Sequence, residues 1–181
     1  CGDIWQSNIN IDGTPNGYYV YTMDGATISN CYYKGANWDK NKQMSVFRAD
    51  TDFNGESYAA DWLLGKGKGT IVANIFNADS KWKVYAVEGG VKTEMTRLQS
   101  TPGQDAFAVG YHKKYAVANK YNFFSKNNGY LKMNHWYSYI PKDANAVITI
   151  EATDPFGNTY TASSKDAVTE PFYNYAHYYG K

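Results

Sequence analysis

The sequence predicts an all-β protein: an antiparallel β-sandwich, immunoglobulin-like, with an N-terminal hairpin and long loops. Three observations support this fold class. Tyrosine is unusually frequent, with 18 copies in 181 residues, and aromatic and β-branched residues suit a pleated, half-buried surface. Short runs alternate apolar and polar residues, and turn-forming residues separate those runs. No segment keeps an amphipathic helical period over about ten residues.

The first predicted element is a hairpin near the N-terminus. Residues 18–23 and 26–33 are rich in Tyr, Val, Ile and Thr, and Asp24-Gly25 separates them. Asp-Gly between two such runs predicts a tight primed turn, because glycine tolerates positive φ. A dense cluster of turn residues, 12–17, precedes the hairpin.

The second half carries the clearest strand pattern. In residues 147–153 the apolar residues Ile148, Ile150 and Ala152 alternate with polar ones, which predicts one buried face and one wet face. Ile71, Ala73 and Ile75 indicate one buried face in the same way. The remaining strands are predicted at residues 44–49, 82–87, 91–98, 106–111, 136–140 and 159–163.

The length fits one domain over residues 1–181. Residues 1–34 are predicted as a linker and hairpin, residues 65–164 as the sandwich core, and residues 165–181 as a tail rich in Tyr and His. Residues 112–134 form a long polar connection dotted with aromatics, which is typical of a functional or partner-ordered loop.

Composition and charge argue against several function classes. Charged residues make up 19% of the chain and the net charge is +1, so nothing attracts nucleic acid over long range. No apolar run approaches the roughly 18 residues of a membrane span. Two cysteines, Cys1 and Cys31, are compatible with a disulfide or with two unpaired thiols. Cys1 is equally compatible with a lipidation site and with the boundary of a fragment.

The sequence lacks a recognisable enzyme centre. His112, His135 and His177 are far apart and are interpreted as surface or loop histidines. Residues 50–61 resemble the first half of a calcium loop, but Asp61 stands where the distal Glu belongs. Neither a nucleophile elbow nor a phosphate loop is present. The sequence therefore predicts no catalytic, cofactor-binding or metal-ligating residue in this chain.

Aromatic side chains are the remaining candidates for ligand contact. Trp82 and Trp136 lie on predicted strands and are expected in the core. Trp38 and Trp62 lie in polar stretches and are expected to be exposed, where they could stack on sugars. An independent carbohydrate-binding or surface adhesion module is therefore a second hypothesis.

Two blocks and a closing piece together carry a family resemblance. The first block is Gly-Asp-Ile-Trp at residues 2–5, then residues 12–18 and the hairpin up to Lys34. The second comprises residues 71–76 and 91–97, ending in Met-Thr-Arg, and residues 147–161 close the pattern. This arrangement resembles the C-terminal domain of bacterial calcineurin-like phosphoesterases of the Bacteroides type, over residues 1–164.

The resemblance implies a β-sandwich appended to a two-metal catalytic domain. The metal-ligand blocks of that family do not occur here, so divalent metals are expected in the catalytic domain of the same polypeptide and not in this chain. A periplasmic or cell-surface location follows as an expectation. The candidates for contact with that domain or with a ligand are Trp5, Asp12, Tyr18, Trp38 and Trp62, and the 12–17 turn and the 112–134 loop are expected to face it.

Overall fold

The computed structural model describes residues 10, 12–36, 38–49, 69–98, 101–103 and 131–166. Within these ranges every regular element is a strand, and every strand pair is antiparallel. The same ranges contain no helix with the length and apolar character needed to cross a membrane. The all-β prediction is therefore confirmed.

The N-terminal hairpin forms as predicted. Strands β1 (Gly17–Asp24) and β2 (Thr27–Gly35) make a two-stranded sheet of their own. Asp24 pairs with Thr27, so the loop contains only Gly25 and Ala26. Gly25 has a φ of 59°, which matches the positive φ that a type II′ turn needs at its first central position. A register shift between Thr22 and Met23 marks a bulge in the ladder.

Two four-stranded sheets make the sandwich. The strands of the first sheet, in spatial order, are β3 (Met44–Arg48), β4 (Ile71–Ile75), β10 (Trp136–Tyr139) and β7 (Thr96–Leu98). Those of the second, in spatial order, are β12 (Thr159–Ser163), β11 (Thr149–Thr153), β5 (Lys83–Glu88) and β6 (Val91–Glu94). Two short strands, β8 (Thr101–Gly103) and β9 (Leu131–Met133), form a separate two-stranded sheet.

The main core lies between the two sheets. Ile71, Ala73 and Ile75 of β4 are fully buried, and so are Ile150 and Ala152 of β11. These residues alternate along their strands as the sequence pattern predicts, so period-two alternation identifies the inner face of each sheet. Burial of such aliphatic side chains is the dominant favourable contribution to folding.

The outer face of the first sheet is also covered at β4. Val72 alternates with the inner residues of β4 and is fully buried. It belongs to a second cluster in which the Phe47 and Trp136 rings meet edge to face, with centroids 5.8 Å apart. Trp136 is fully buried, as expected of a core tryptophan. Strand β4 is therefore buried on both faces, and it also has a neighbouring strand on each side.

The prediction of one continuous strand at residues 91–98 is wrong, because two strands occupy this segment. The chain bends at Met95, so β6 pairs with β5 in the second sheet and β7 pairs with β10 in the first. Met95 is buried, and its amide donates to the Val84 carbonyl at 2.9 Å. A buried side chain at the bend explains why the run looks like one continuous strand in the sequence.

Other predictions meet the structure only in part. Strand β3 belongs to the sandwich although it precedes the predicted core of residues 65–164. Strand β9 occupies the end of the 112–134 connection, and residues 112–130 lie outside the described ranges. The predicted strand at residues 106–111 and the tail after residue 166 also lie outside them. Cys31 carries a free thiol. The immunoglobulin-like assignment stays a prediction.

Candidate functional site

The N-terminal hairpin exposes large apolar side chains. Tyr19, Tyr21 and Met23 alternate along β1 and therefore share one face, and Ile28 lies directly opposite Met23 on β2. Their exposed fractions are 46%, 54%, 55% and 44%, respectively. We call these four side chains the hairpin patch. The Tyr19 and Tyr21 rings are 6.0 Å apart, so two members of the patch form a continuous aromatic surface.

The base of the hairpin is fastened to the sandwich. The Tyr33 hydroxyl donates to the Pro15 carbonyl at 2.5 Å, and burial raises the pKa of Tyr33 to about 12, so the donor stays protonated. The Gln43 amide donates to the Tyr33 carbonyl at 2.5 Å and to the Lys40 carbonyl at 2.7 Å. A Cβ on Gly17 would come 2.2 Å from the Lys34 carbonyl oxygen, so only glycine allows the strands to approach this closely.

A polar cluster holds the preceding turn against the first sheet. The Asn74 amide on β4 donates to the Asp12 carbonyl at 2.6 Å, and the Asp12 carboxylate accepts the Thr14 amide at 2.9 Å. His135 Nε2 lies 3.4 Å from the other Asp12 carboxylate oxygen. Burial lowers the pKa of His135, and Asp12 opposes that shift. The cluster connects the entry of the hairpin to β4, whose five residues are all buried.

The five predicted contact residues have different positions. Tyr18 is 57% exposed at the start of β1, whereas Asp12 is mostly buried in the polar cluster. Trp38 is only 4% exposed and packs edge to face on Phe76, with ring centroids 5.6 Å apart. The expectation that Trp38 is exposed for sugar stacking is therefore wrong, because the short turn before β3 folds inward. Trp5 and Trp62 lie outside the described residues.

Two other sequence interpretations are changed by the structure. His135 lies in the loop between β9 and β10, as expected, but its side chain is 15% exposed and not a surface group. The 12–17 turn, expected to face a partner, buries Gly13, Thr14 and Pro15 inside the domain. Half of that turn is therefore internal, and the hairpin that follows it offers the exposed surface.

Over the described ranges, no group of three or more His, Cys, Asp and Glu side chains could hold a metal ion. The incomplete calcium loop at residues 50–61 lies outside those ranges, as do His112 and His177.

Sequence reasoning identified the hairpin but missed its patch. Tyrosines at 18, 19 and 21 place aromatic rings on both faces of one strand, which is unusual for a strand with one wet face. That pattern could have indicated an exposed aromatic surface. The contacts of Asp12 with Asn74 and His135 join residues 62 and 123 positions apart, and no local pattern reports such pairs.

Comparison with known proteins identifies the family. Residues 1–160 match the family model MetallophosC, described as the C-terminal part of calcineurin-like phosphoesterase. No curated protein and no solved structure matches the chain significantly. The family match covers most of the chain, including the hairpin, its anchor and nearly all of the sandwich. The chain therefore belongs to the family of C-terminal domains of calcineurin-like phosphoesterases.

Proposed function

We propose that this chain is a non-catalytic accessory domain that packs on the catalytic phosphoesterase domain of the same polypeptide through the hairpin patch. The observation that carries the proposal is the exposure of Tyr19, Tyr21, Met23 and Ile28 on one face of a hairpin that joins neither sandwich sheet. Contiguous exposed apolar surface of this kind commonly marks a protein contact. The family assignment supplies the partner, since a C-terminal part of a phosphoesterase accompanies a catalytic part.

The physical state of the hairpin favours docking. A two-stranded hairpin has marginal stability in water unless something packs against it. Here the base is fastened by Tyr33 and Gln43, whereas the turn end is exposed. A surface that is already held at its base loses less conformational entropy when it binds. The hairpin is therefore suited to a permanent contact within one polypeptide.

Other features of the proposal come from the family resemblance. We assign the divalent metals to the catalytic domain, because a two-metal centre needs several ligands at once. We also propose a periplasmic or cell-surface location and membership of the Bacteroides-type subgroup. Sugar stacking on Trp38 is not part of the proposal, because that side chain is buried.

Amide hydrogen exchange tests the proposed packing. The complete polypeptide, with its catalytic domain, is compared with this chain. We expect the amides of β1 and β2 to exchange about tenfold more slowly in the complete polypeptide, because docking suppresses local opening. The double variant Tyr21→Ser/Met23→Ser should remove that protection.

Val91→Ser is the matched control for this experiment. Val91 is 56% exposed at the start of β6, on a different hairpin, so its loss should leave β1 and β2 protected. Equal exchange of the hairpin in the complete polypeptide and in this chain would exclude the proposed packing.

A phosphatase assay tests the non-catalytic assignment. This chain, incubated with bis(p-nitrophenyl) phosphate and Mn²⁺, should give no turnover above the metal alone. The complete polypeptide should hydrolyse the same substrate. Clear turnover by this chain would overturn the assignment.

A further inference from the structure

A polar cleft lies between the hairpin and the second sheet. Its volume is about 240 Å³, and its walls include Asn30 of β2, Asn41 of the turn before β3 and Asn158 of the turn before β12. Pockets for drug-sized ligands hold roughly 300–1,000 Å³, so this cleft fits a single small ring. It shares no residue with the hairpin patch.

Hydrogen bonds determine the orientation of two amide groups in the cleft wall. The Cys31 amide donates to Asn30 Oδ1 at 2.9 Å, so that atom is an acceptor. Asn158 Nδ2 donates to the same Asn30 Oδ1 at 2.7 Å and to Asp154 Oδ2 at 2.7 Å. Among the described residues, Asn30 Nδ2 and Asn158 Oδ1 have no hydrogen-bond partner. The wall therefore offers an amide donor beside an amide acceptor.

The carboxylate behind this wall is already satisfied. Asp154 is 6% exposed and accepts the amides of Phe156 and Asn158, each at 2.9 Å. The Tyr160 hydroxyl lies 3.5 Å from it, and burial raises the pKa of Tyr160 to about 12. Tyr160, which also lines the cleft, is thus a protonated tyrosine, and its ring centroid lies 6.0 Å from that of Trp82. Asp154 and the Asn158 acceptor both disfavour an anion at this wall, whereas Lys40, which also lines the cleft, is the lining group that would favour one.

The turn before β3 adds a further amide to the cleft, and β2 adds an aromatic ring two residues beyond Asn30. The Asn41 backbone amide donates to Asp39 Oδ1 at 2.8 Å, which holds the turn and leaves the Asn41 side chain at the cleft. Tyr32 is half-buried and also lines the cleft. Amides that donate and accept match hydroxyl groups, which do the same, and an aromatic ring provides apolar surface for a C–H face.

We propose that this cleft binds one neutral sugar ring through a pair of neighbouring hydroxyl groups. One hydroxyl accepts from Asn30 Nδ2, and the next donates to Asn158 Oδ1. The ring lies against Tyr32, with Asn41 contacting its far side. A free monosaccharide and the terminal ring of a glycan present the same pair of hydroxyls. This inference does not depend on domain packing, because it concerns another surface.

Saturation-transfer NMR on the full chain tests the inference. The probes are the methyl glycosides of glucose, galactose, mannose and N-acetylglucosamine. We expect at least one to bind with a Kd on the order of 1 mM, the weak range in which a single ring held by a few contacts is measurable. Asn41→Ala and Tyr32→Leu should each weaken that binding about fivefold or more. Failure of all four glycosides to bind would overturn the inference.

Two matched variants control for indirect effects. Asn145 donates its backbone amide to Asp143 Oδ1 at 2.8 Å, in the same local arrangement as Asn41 and Asp39, but it does not line the cleft. Tyr85 is a half-buried strand tyrosine like Tyr32, but it lies on β5 and does not line the cleft. Asn145→Ala and Tyr85→Leu should therefore retain binding. Equal losses in these controls would place the sugar elsewhere and contradict the inference.

Two further measurements distinguish a glycan end from a free sugar, and a sugar from an anion. A trisaccharide ending in the best ring should bind more tightly if the natural ligand is a glycan end, and equally if it is a free sugar; both results support the cleft. Inorganic phosphate is the anionic probe. Phosphate binding that is lost in Lys40→Ala, without any sugar binding, would show an anion site instead. Because these measurements use this chain, they can fail while domain packing holds.

Discussion

The hairpins β1–β2 and β11–β12 have similar local construction but opposite surroundings. Each joins two antiparallel strands through a turn that contains a glycine at positive φ, Gly25 at 59° and Gly157 at 88°. β11 also pairs with β5, and its side chains alternate between buried and half-buried. β1 pairs with β2 alone among the described strands, and it is exposed along nearly its whole length. Local sequence makes both hairpins, whereas neighbouring strands decide which one becomes core.

The largest expected difference between the hairpins concerns their apolar side chains. Ile150→Ala on β11 should lower the free energy of unfolding by about 2–5 kcal/mol, because the side chain is fully buried between the sheets. Tyr21→Ala on β1 should change it by less than about 0.5 kcal/mol, because that ring is 54% exposed. Urea denaturation of both variants provides the measurement. Similar losses would mean that the hairpin patch is part of the core of this chain.

The second largest difference should concern how much the aspartate in each hairpin turn contributes to stability. Asp154 accepts two backbone amides and the Asn158 side chain in the β11–β12 turn. Asp154→Ala should therefore cost about 1–3 kcal/mol by leaving buried donors unpaired. Asp24 at the β1–β2 turn is exposed, and Asp24→Ala should stay within about 0.5 kcal/mol. Thermal unfolding followed by circular dichroism can compare them, and a strongly destabilised Asp24 variant would contradict the comparison.

The glycines of the two turns, Gly25 and Gly157, allow the same substitution to be compared in both hairpins. A Cβ at Gly25 or Gly157 would meet no atom within 4 Å, so the change to alanine tests backbone strain alone. Left-handed backbone costs an alanine about 1–2 kcal/mol. Gly157→Ala should lower global stability by that amount, whereas Gly25→Ala should accelerate exchange only in β1 and β2. Native-state hydrogen exchange distinguishes global from local effects, and a global loss in Gly25→Ala would show that the hairpin unfolds with the core.

The smallest expected effect is a pH dependence from His135 at the base of the hairpin. Burial lowers the pKa of His135 from its ordinary 6.5. The unfolded chain then binds a proton at a pH where the folded chain does not, so stability should fall as the pH drops below about 6.5. Guanidinium denaturation at several pH values between about 7.5 and 5.5 should show this slope, and His135→Gln should flatten it.

Glu88→Gln is the control for that titration. The pKa of Glu88 is lowered from 4.5, first by the Asp143 backbone amide and then by the Tyr139 hydroxyl and the Lys142 amide. Its stabilising effect is therefore present above about pH 4.5 and is lost only in more acidic solution. Loss of the slope near neutral pH in Glu88→Gln would refute the assignment to His135.

Much of the fold was predictable because the residue patterns that indicate strands and tight turns involve residues close together in sequence. The alternation of Ile148, Ile150 and Ala152 and the Asp24-Gly25 turn each involve neighbours in sequence. The bend at Met95 was not predictable in this way, because a buried residue looks the same in a continuous strand and at a corner between two sheets. Trp38 was misjudged for a related reason: a polar stretch folds inward when a ring such as that of Phe76 is available.

The candidate sites were less predictable than the fold. The cleft brings Asn30 within hydrogen-bond distance of Asn158, although 128 positions separate them. Each asparagine alone is typical of a turn or strand end. Only the approach of β2 to the distant turn before β12 leaves one amide donor and one amide acceptor facing the same space.

The bend at Met95 also has a consequence for association between molecules. Open sheet edges offer unpaired backbone groups to strands of other chains. Among the described strands, β6 and β7 lie at the edges of the two sheets, and they contain only four and three residues. Since one bent segment provides both edges, neither is long enough to template an extended foreign strand. The corner should therefore limit amyloid-like aggregation from this side of the sandwich.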